Sequence, residues 1–200
     1  MISTIKSLTL EVSDVAAASA FTVAFGVDSQ VGVRASEEPT TGFRGFTLSL
    51  VVSQPSTVDA LVGSALDAGA TPLKPVKKGF WGYGGVLRAP DGTIWKVATS
   101  AKKETGPATR QIDDIVLLIG VENVAATKRF YVDRGLAVKR SFGSKYVEFA
   151  APPDHVKLAL YGRRALAKDA GVPPDGTGSH RIVIGSDAGH FTDPDGFSWE

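Results

Sequence analysis

The chain has 200 residues, 43% hydrophobic and 22% charged, enough to bury a core in one large domain or two small ones. Its formal net charge of +1 gives no electrostatic reason to bind nucleic acid or an anionic membrane. Zero cysteines exclude disulfides, thiolate nucleophiles and zinc–cysteine sites; with no apolar run near the ~18 residues of a membrane span and no signal-like start, a cytoplasmic setting is expected.

Residues 5–12 (IKSLTLEV) alternate apolar and polar, which predicts a half-buried strand with Leu8, Leu10 and Val12 inward. Ser13-Asp14 offers an N-cap to an alanine-rich helix over 15–25, ended by Gly26. Strands are expected at 29–34 and 43–52. Pro55-Ser56 opens a second helix, 57–68, closed by Gly69. Residues 71–76 read as an edge strand, because its prolines cannot donate to a ladder. The stretch FWGYGG (80–85) and a strand carrying Trp95 complete this half. Residues 101–110 (AKKETGPATR) are polar, hold Gly-Pro and read as a linker.

The second half repeats the order. A strand is predicted at 112–121, then a helix at 124–133, capped by Glu122-Asn123 and ended by Gly135. Strands follow at 137–142, 145–150 and 156–161, then a short helix at 163–170, a loop at 173–178 and a strand at 179–185. That strand runs almost directly into Asp-Pro-Asp-Gly, so a helix present in the first half is missing here. Its sheet face would need cover from residues 163–170, the other half or a partner chain, the last making a homodimer surface.

Two turns mark the duplication: Pro90-Asp91-Gly92 with Trp95, and Pro194-Asp195-Gly196 with Trp199. Pro sets one dihedral, Asp bonds its own backbone and Gly accepts positive φ. Lys96 follows the first Trp and Glu200 the second.

In the segments LTLEVSDVAAASAF, IVLLIGVENVAATKRFYVDRGL, WGYGGVLRAPDGTIWKV and FTDPDGFSWE the chain resembles the vicinal oxygen chelate superfamily, which includes glyoxalase I, extradiol dioxygenases and bleomycin-type antibiotic-binding proteins. The resemblance implies an α+β fold of paired βαβββ modules forming open barrel-like clefts. The first glyoxalase-like module would span 1–100, the linker 101–110 and an abbreviated second module 111–200. Fold does not specify activity here, since such a scaffold hosts lyases, dioxygenases and metal-free binders alike.

In metal-dependent relatives the ligands are His or Glu on a unit's first strand and Glu near the end of its last. Carried over, the first-half positions hold Ser7, Thr47 and Lys96, which cannot bind a divalent cation. In the second half Glu200 matches, His180 stands where a second histidine would, and the remaining position is Val116 or, with a bulge, Asp114. An Asp114/His180/Glu200 set would supply one nitrogen and two carboxylates; the alternative is a degenerate cleft without metal.

Other candidates concern a ligand. Trp81 and Tyr83, among glycines, form either a stacking platform or ordinary strand packing, and alternation puts one in and one out. Lys96 either pairs with an anionic ligand or reaches water. His190 either lines the cleft or is solvated. No phosphate loop or serine nucleophile elbow is present. Three functions stay open: a metal-independent binder of an aromatic or antibiotic-like small molecule, a metal-dependent lyase or dioxygenase, and a dimerising structural or regulatory module.

Overall fold

Two side-chain caps start helices where the sequence places them. Asp14 is extended (φ −118°) and its Oδ1 accepts from Ala17 N at 2.9 Å; Asn123 does the same for Ala126 N at 3.0 Å. The computed structural model describes residues 3–200. The first half runs β1 (Ile5–Val12), α1 (Val15–Phe25), β2 (Val31–Ala35), β3 (Thr40–Gly42) and β4 (Phe46–Val51). It continues with α2 (Pro55–Asp67), β5 (Thr71–Gly79), β6 (Gly82–Arg88) and β7 (Ile94–Thr99). The second half runs β8 (Asp114–Val121), α3 (Val124–Val132), β9 (Val138–Phe142), β10 (Tyr146–Phe149), β11 (Lys157–Gly162) and α4 (Arg163–Ala170). It closes with β12 (Gly176–Gly178), β13 (Ile182–Ser186), β14 (Phe191–Thr192) and β15 (Ser198–Trp199).

The strand expected over 43–52 begins only at Phe46, because Gly42 and Gly45 both take positive φ (67° and 83°) and turn the chain. The strand expected from Ser179 begins at Ile182, since Arg181 itself has φ +58°. The loop at 173–178 contains β12, which pairs with β3. Residues 101–110 form neither helix nor strand, yet they are pinned down. Gln54 Oε1 accepts from the Thr105 and Gly106 amides, and Gln54 Nε2 donates to Pro107 O at 2.7 Å.

The sheets cross this linker. One has eight strands in the order β5-β6-β7-β4-β8-β11-β10-β9, and another has five in the order β14-β15-β13-β1-β2. In the larger sheet, β4 and β8 meet antiparallel at Leu48/Leu117, each flanked by a parallel partner, β7 or β11. In the smaller, β1 and β13 meet antiparallel at Leu8/Ile184, flanked by parallel β2 and β15. The arrangement is α+β with mixed sheets and no closed barrel. The complete βαβββ units are the second and third. The first is reduced to β1-α1-β2 on its sheet and the fourth lacks a helix, so shortening affects both halves.

One core joins the inward faces of both sheets to α1, α2 and α3. Phe25 of α1 meets Trp95 of β7 edge-on at 5.1 Å, and Tyr131 of α3 lies 5.2 Å from Trp199 and 5.7 Å from Phe149. Aromatic rings therefore fill the side of the core nearest the helix-less unit. Asp193 fastens that unit to α3. Its Oδ2 accepts from the buried Tyr131 hydroxyl and its Oδ1 from the Phe197 amide at 2.8 Å. Burial pushes both groups' pKa values upward, with the Asp193 charge adding to the rise at Tyr131. Helix α4 does not cover that region. It lies on the outer face of the larger sheet, packing Leu166, Ala167 and Ala170 against Phe43, Val86 and Ile94.

Candidate functional site

Strand alternation decides which residues face outward beside α4. Leu48, Trp95, Leu117 and Leu158 belong to the main core, so Thr47, Lys96, Val116 and Ala159 point to the outer face. Thr47, Lys96 and Val116 are positions at which the resemblance would put metal ligands, and with Ala159 beside them they offer one hydroxyl, one ammonium and two hydrocarbons. The matching register in the smaller sheet gives Ser7, Gly32, Val183 and Glu200. Neither set fits a divalent cation.

Asp114, His180 and Glu200 do not converge, and among the described residues no group of three His, Cys, Asp or Glu side chains could hold a metal. Asp114 begins β8 on the larger sheet, where its Oδ2 lies 2.6 Å from Lys157 Nζ. His180 lies before β13, its ring stacked on Phe197 at 3.8 Å. Its Nδ1 faces Arg44 O and its Nε2 faces Asp195 O at 2.9 Å, so both nitrogens are engaged. Residue 183, not 180, falls at the histidine position, because Arg181 breaks the strand. Glu200 bonds Arg34 at 3.2 Å, and Arg34 also holds Glu11 at 2.8 Å.

The ligand candidates divide differently. Trp81 and Lys96 border one cavity of about 300 Å³ between β5–β7 and the end of α4. Phe80 and Trp81 are the two turn residues between Gly79 and Gly82 at the tip of the β5–β6 hairpin. They meet edge-on at 4.7 Å and are 80% and 86% exposed. Lys96 rises from β7, its Nζ 3.0 Å from Asp169 Oδ2 of α4. Tyr83 borders the same space, but its hydroxyl donates to Asp59 Oδ1 of α2 at 2.7 Å and its ring packs on the main core. That hydrogen bond, with burial second, raises the Tyr83 pKa. His190 is exposed before β14 and does not line this cavity.

Three wall residues were not singled out from the sequence. Lys74 and Lys77 come from the edge strand β5, and Asp169 comes from α4. Lys74 Nζ donates to the Lys168 and Asp169 carbonyls at 2.9 and 2.6 Å, tying β5 to the helix end. Lysine on an edge strand is ordinary protection against pairing, so no local signal marked it as a cavity wall. The result is an apolar floor at Val86 and Ala98, three ammonium groups against one carboxylate, and exposed aromatic rings at the mouth.

No protein-family model matches the chain, and no curated protein matches it. In structure it is similar to glyoxalase I from Zea mays, with a TM-score of 0.60 at 12% identity over 98% of this chain and 91% of that one. A point mutant of that enzyme gives 0.61 at 14% identity, over 98% and 92%. A putative dioxygenase from Bacillus subtilis gives 0.54 at 12% identity, over 91% of this chain and 69% of that one. The likeness shows that the chain shares the two-module α+β fold of these structures.

Proposed function

We propose that a protein with this fold and this donor set is a metal-independent binder of a small aromatic molecule, held in the cavity between β5–β7 and α4. The observation that carries the reading is Lys96. It stands at a position the resemblance gives to a carboxylate ligand, and it faces a cavity whose mouth carries the exposed Phe80–Trp81 pair. A ring stacked on Trp81 would gain about 0.5–1.5 kcal/mol beyond the area it buries. An ammonium at Lys96 favours an acidic substituent on that ring. A metal-dependent lyase or dioxygenase would require Asp114, His180 and Glu200 to leave separate partners and come together.

The tryptophans make the test clean. Trp95 and Trp199 are buried, and Trp81 is the third and exposed one, so emission changes on titration report the cavity mouth. Anilinonaphthalene sulfonate, an anionic aromatic dye, is expected to quench that emission saturably, and Trp81→Leu to abolish the response. An unchanged response in Trp81→Leu, or none in the wild type across a panel of aromatic acids, would overturn the reading.

A further inference from the structure

A second, separate cavity carries more positive charge than the fold neutralises. In the Pro-Asp-Gly turn after β6, Gly92 has φ +93°, and a Cβ there would lie 2.7 Å from Arg44 Nη2. The glycine thus serves both the turn and the guanidinium beside it. Arg44 Nη2 donates to Asp91 O at 2.7 Å, but Nη1 is buried and has no acceptor. The nearest carboxylate oxygen, Asp91 Oδ2, is 3.9 Å from Nη1 and already accepts from Thr93 Oγ1 at 2.5 Å.

Two more arginines surround this one. Arg181 is only 8% exposed; it donates to Ser36 O, and its Nε finds no acceptor. Arg88 ends β6, is exposed, and pairs with no carboxylate among the described residues. A buried charge is normally paired and fully hydrogen-bonded, so three guanidinium groups around one close carboxylate leave a deficit of negative charge. Burial, and after it the charges of Arg181 and Arg88, push the Arg44 pKa down, while Asp91 pushes it up.

Arg44 and Arg88 share the wall of a cavity of about 300 Å³ with Thr40, Thr41 and Asp175. None of its lining residues lines the Trp81 cavity, so nothing below depends on the proposed function. We propose that this cavity is an oxyanion site that takes a phosphate group, free or as the end of a small molecule. Guanidinium is the side chain best matched to it, because its planar donors meet two oxygens at once and its charge is permanent. Asp175, also in the lining, opposes the anion, so the two guanidinium groups must outweigh one carboxylate.

Binding of inorganic phosphate and of methyl phosphate, which has no ring to enter the Trp81 cavity, measured by calorimetry at constant ionic strength, tests the site. Phosphate is expected to bind stoichiometrically at millimolar or lower concentration. Arg88→Gln changes an exposed strand end and leaves the core intact; it is expected to weaken binding about tenfold or more, as loss of a charge-assisted pair does. Lys96→Gln, in the other cavity, should leave phosphate affinity unchanged. Binding of phosphate alone assigns the site to the free ion, and binding of both assigns it to the group. No saturable binding of either, or equal losses in Arg88→Gln and Lys96→Gln, overturns the proposal.

Discussion

On the β5–β7 side of the eight-stranded sheet three lysines face one carboxylate; on the β8–β11 side the charges pair off. Lys157 sits 2.6 Å from Asp114 and Lys139 sits 2.9 Å from Glu148, each pair joining two strands of the sheet. On the first side the single carboxylate, Asp169, comes from helix α4. The two sides share strand order and register, so architecture does not distinguish them. The difference lies in where the counter-charge is anchored. Cross-strand pairs are held by the sheet itself. A pair between a strand and a helix end can separate without disturbing the ladder, which is what the proposed ligand contact of Lys96 requires.

Four changes would break or sharpen this comparison, beginning with the largest. Trp95 and Leu158 occupy matching core positions beneath the two sides, and Trp95 is fully buried against Phe25. Trp95→Ala should destabilise the protein by ~3–5 kcal/mol, the usual cost of a large aromatic cavity, read from urea denaturation. An effect below that of Leu158→Ala would mean the first side is the looser one.

The next is visible at high pH and is larger on the second side, although the Tyr83 pKa on the first is raised as well. The Tyr146 pKa is raised to about 12, by burial first and then by Glu148. A raised pKa contributes stability that is complete below the unfolded tyrosine value of ~10 and is lost as pH climbs through the folded value. Stability should therefore fall between about pH 10 and 12. Tyr146→Phe is expected to flatten that part of the pH–stability curve, and an unchanged slope would count against the assignment.

Asp114→Asn leaves Lys157 without its partner and should cost roughly 1 kcal/mol or less, since both groups are partly solvated. Dye binding at Trp81 should not change, which separates the two sides directly. The smallest effect is expected from Asp169→Asn, with stability altered by less than ~0.5 kcal/mol for a half-exposed pair. Anionic dye should nevertheless bind more tightly, because Lys96 no longer has an internal competitor. Weaker binding would show that Asp169 helps to shape the site.

Much of this was legible because it is local. Asp14 and Asn123 cap their helices through side chains three residues from the amides they hold. Both Pro-Asp-Gly turns form, with Gly92 and Gly196 at positive φ. Tyr83 and Trp81 do part, Tyr83 turning to α2, but alternation does not do it: the two share parity, and Trp81 lies in the turn outside the ladder. What escaped is non-local. Lys96 meets Asp169 across 73 residues, and nothing near either residue announces the other. His180 looked like a strand residue because it opens the β-branched run HRIVI, but the left-handed turn at Arg181 puts it outside the sheet. The exchange of sheets between halves, through β4–β8 and β1–β13, depends on pairing free energies that no single segment contains.

That exchange bears on how the chain reaches its native state. Leu8 pairs with Ile184, so β1 finds its antiparallel neighbour only once a strand far along the sequence has been made. Closing so long a loop carries an entropic cost that must be met before the pairing offsets it. Until then β1 presents an unpaired, apolar-faced edge. Maturation should therefore be slow, with β4–β8 forming first and the five-stranded sheet last. The same delay makes the nascent first half the stage most exposed to aggregation and to capture by chaperones.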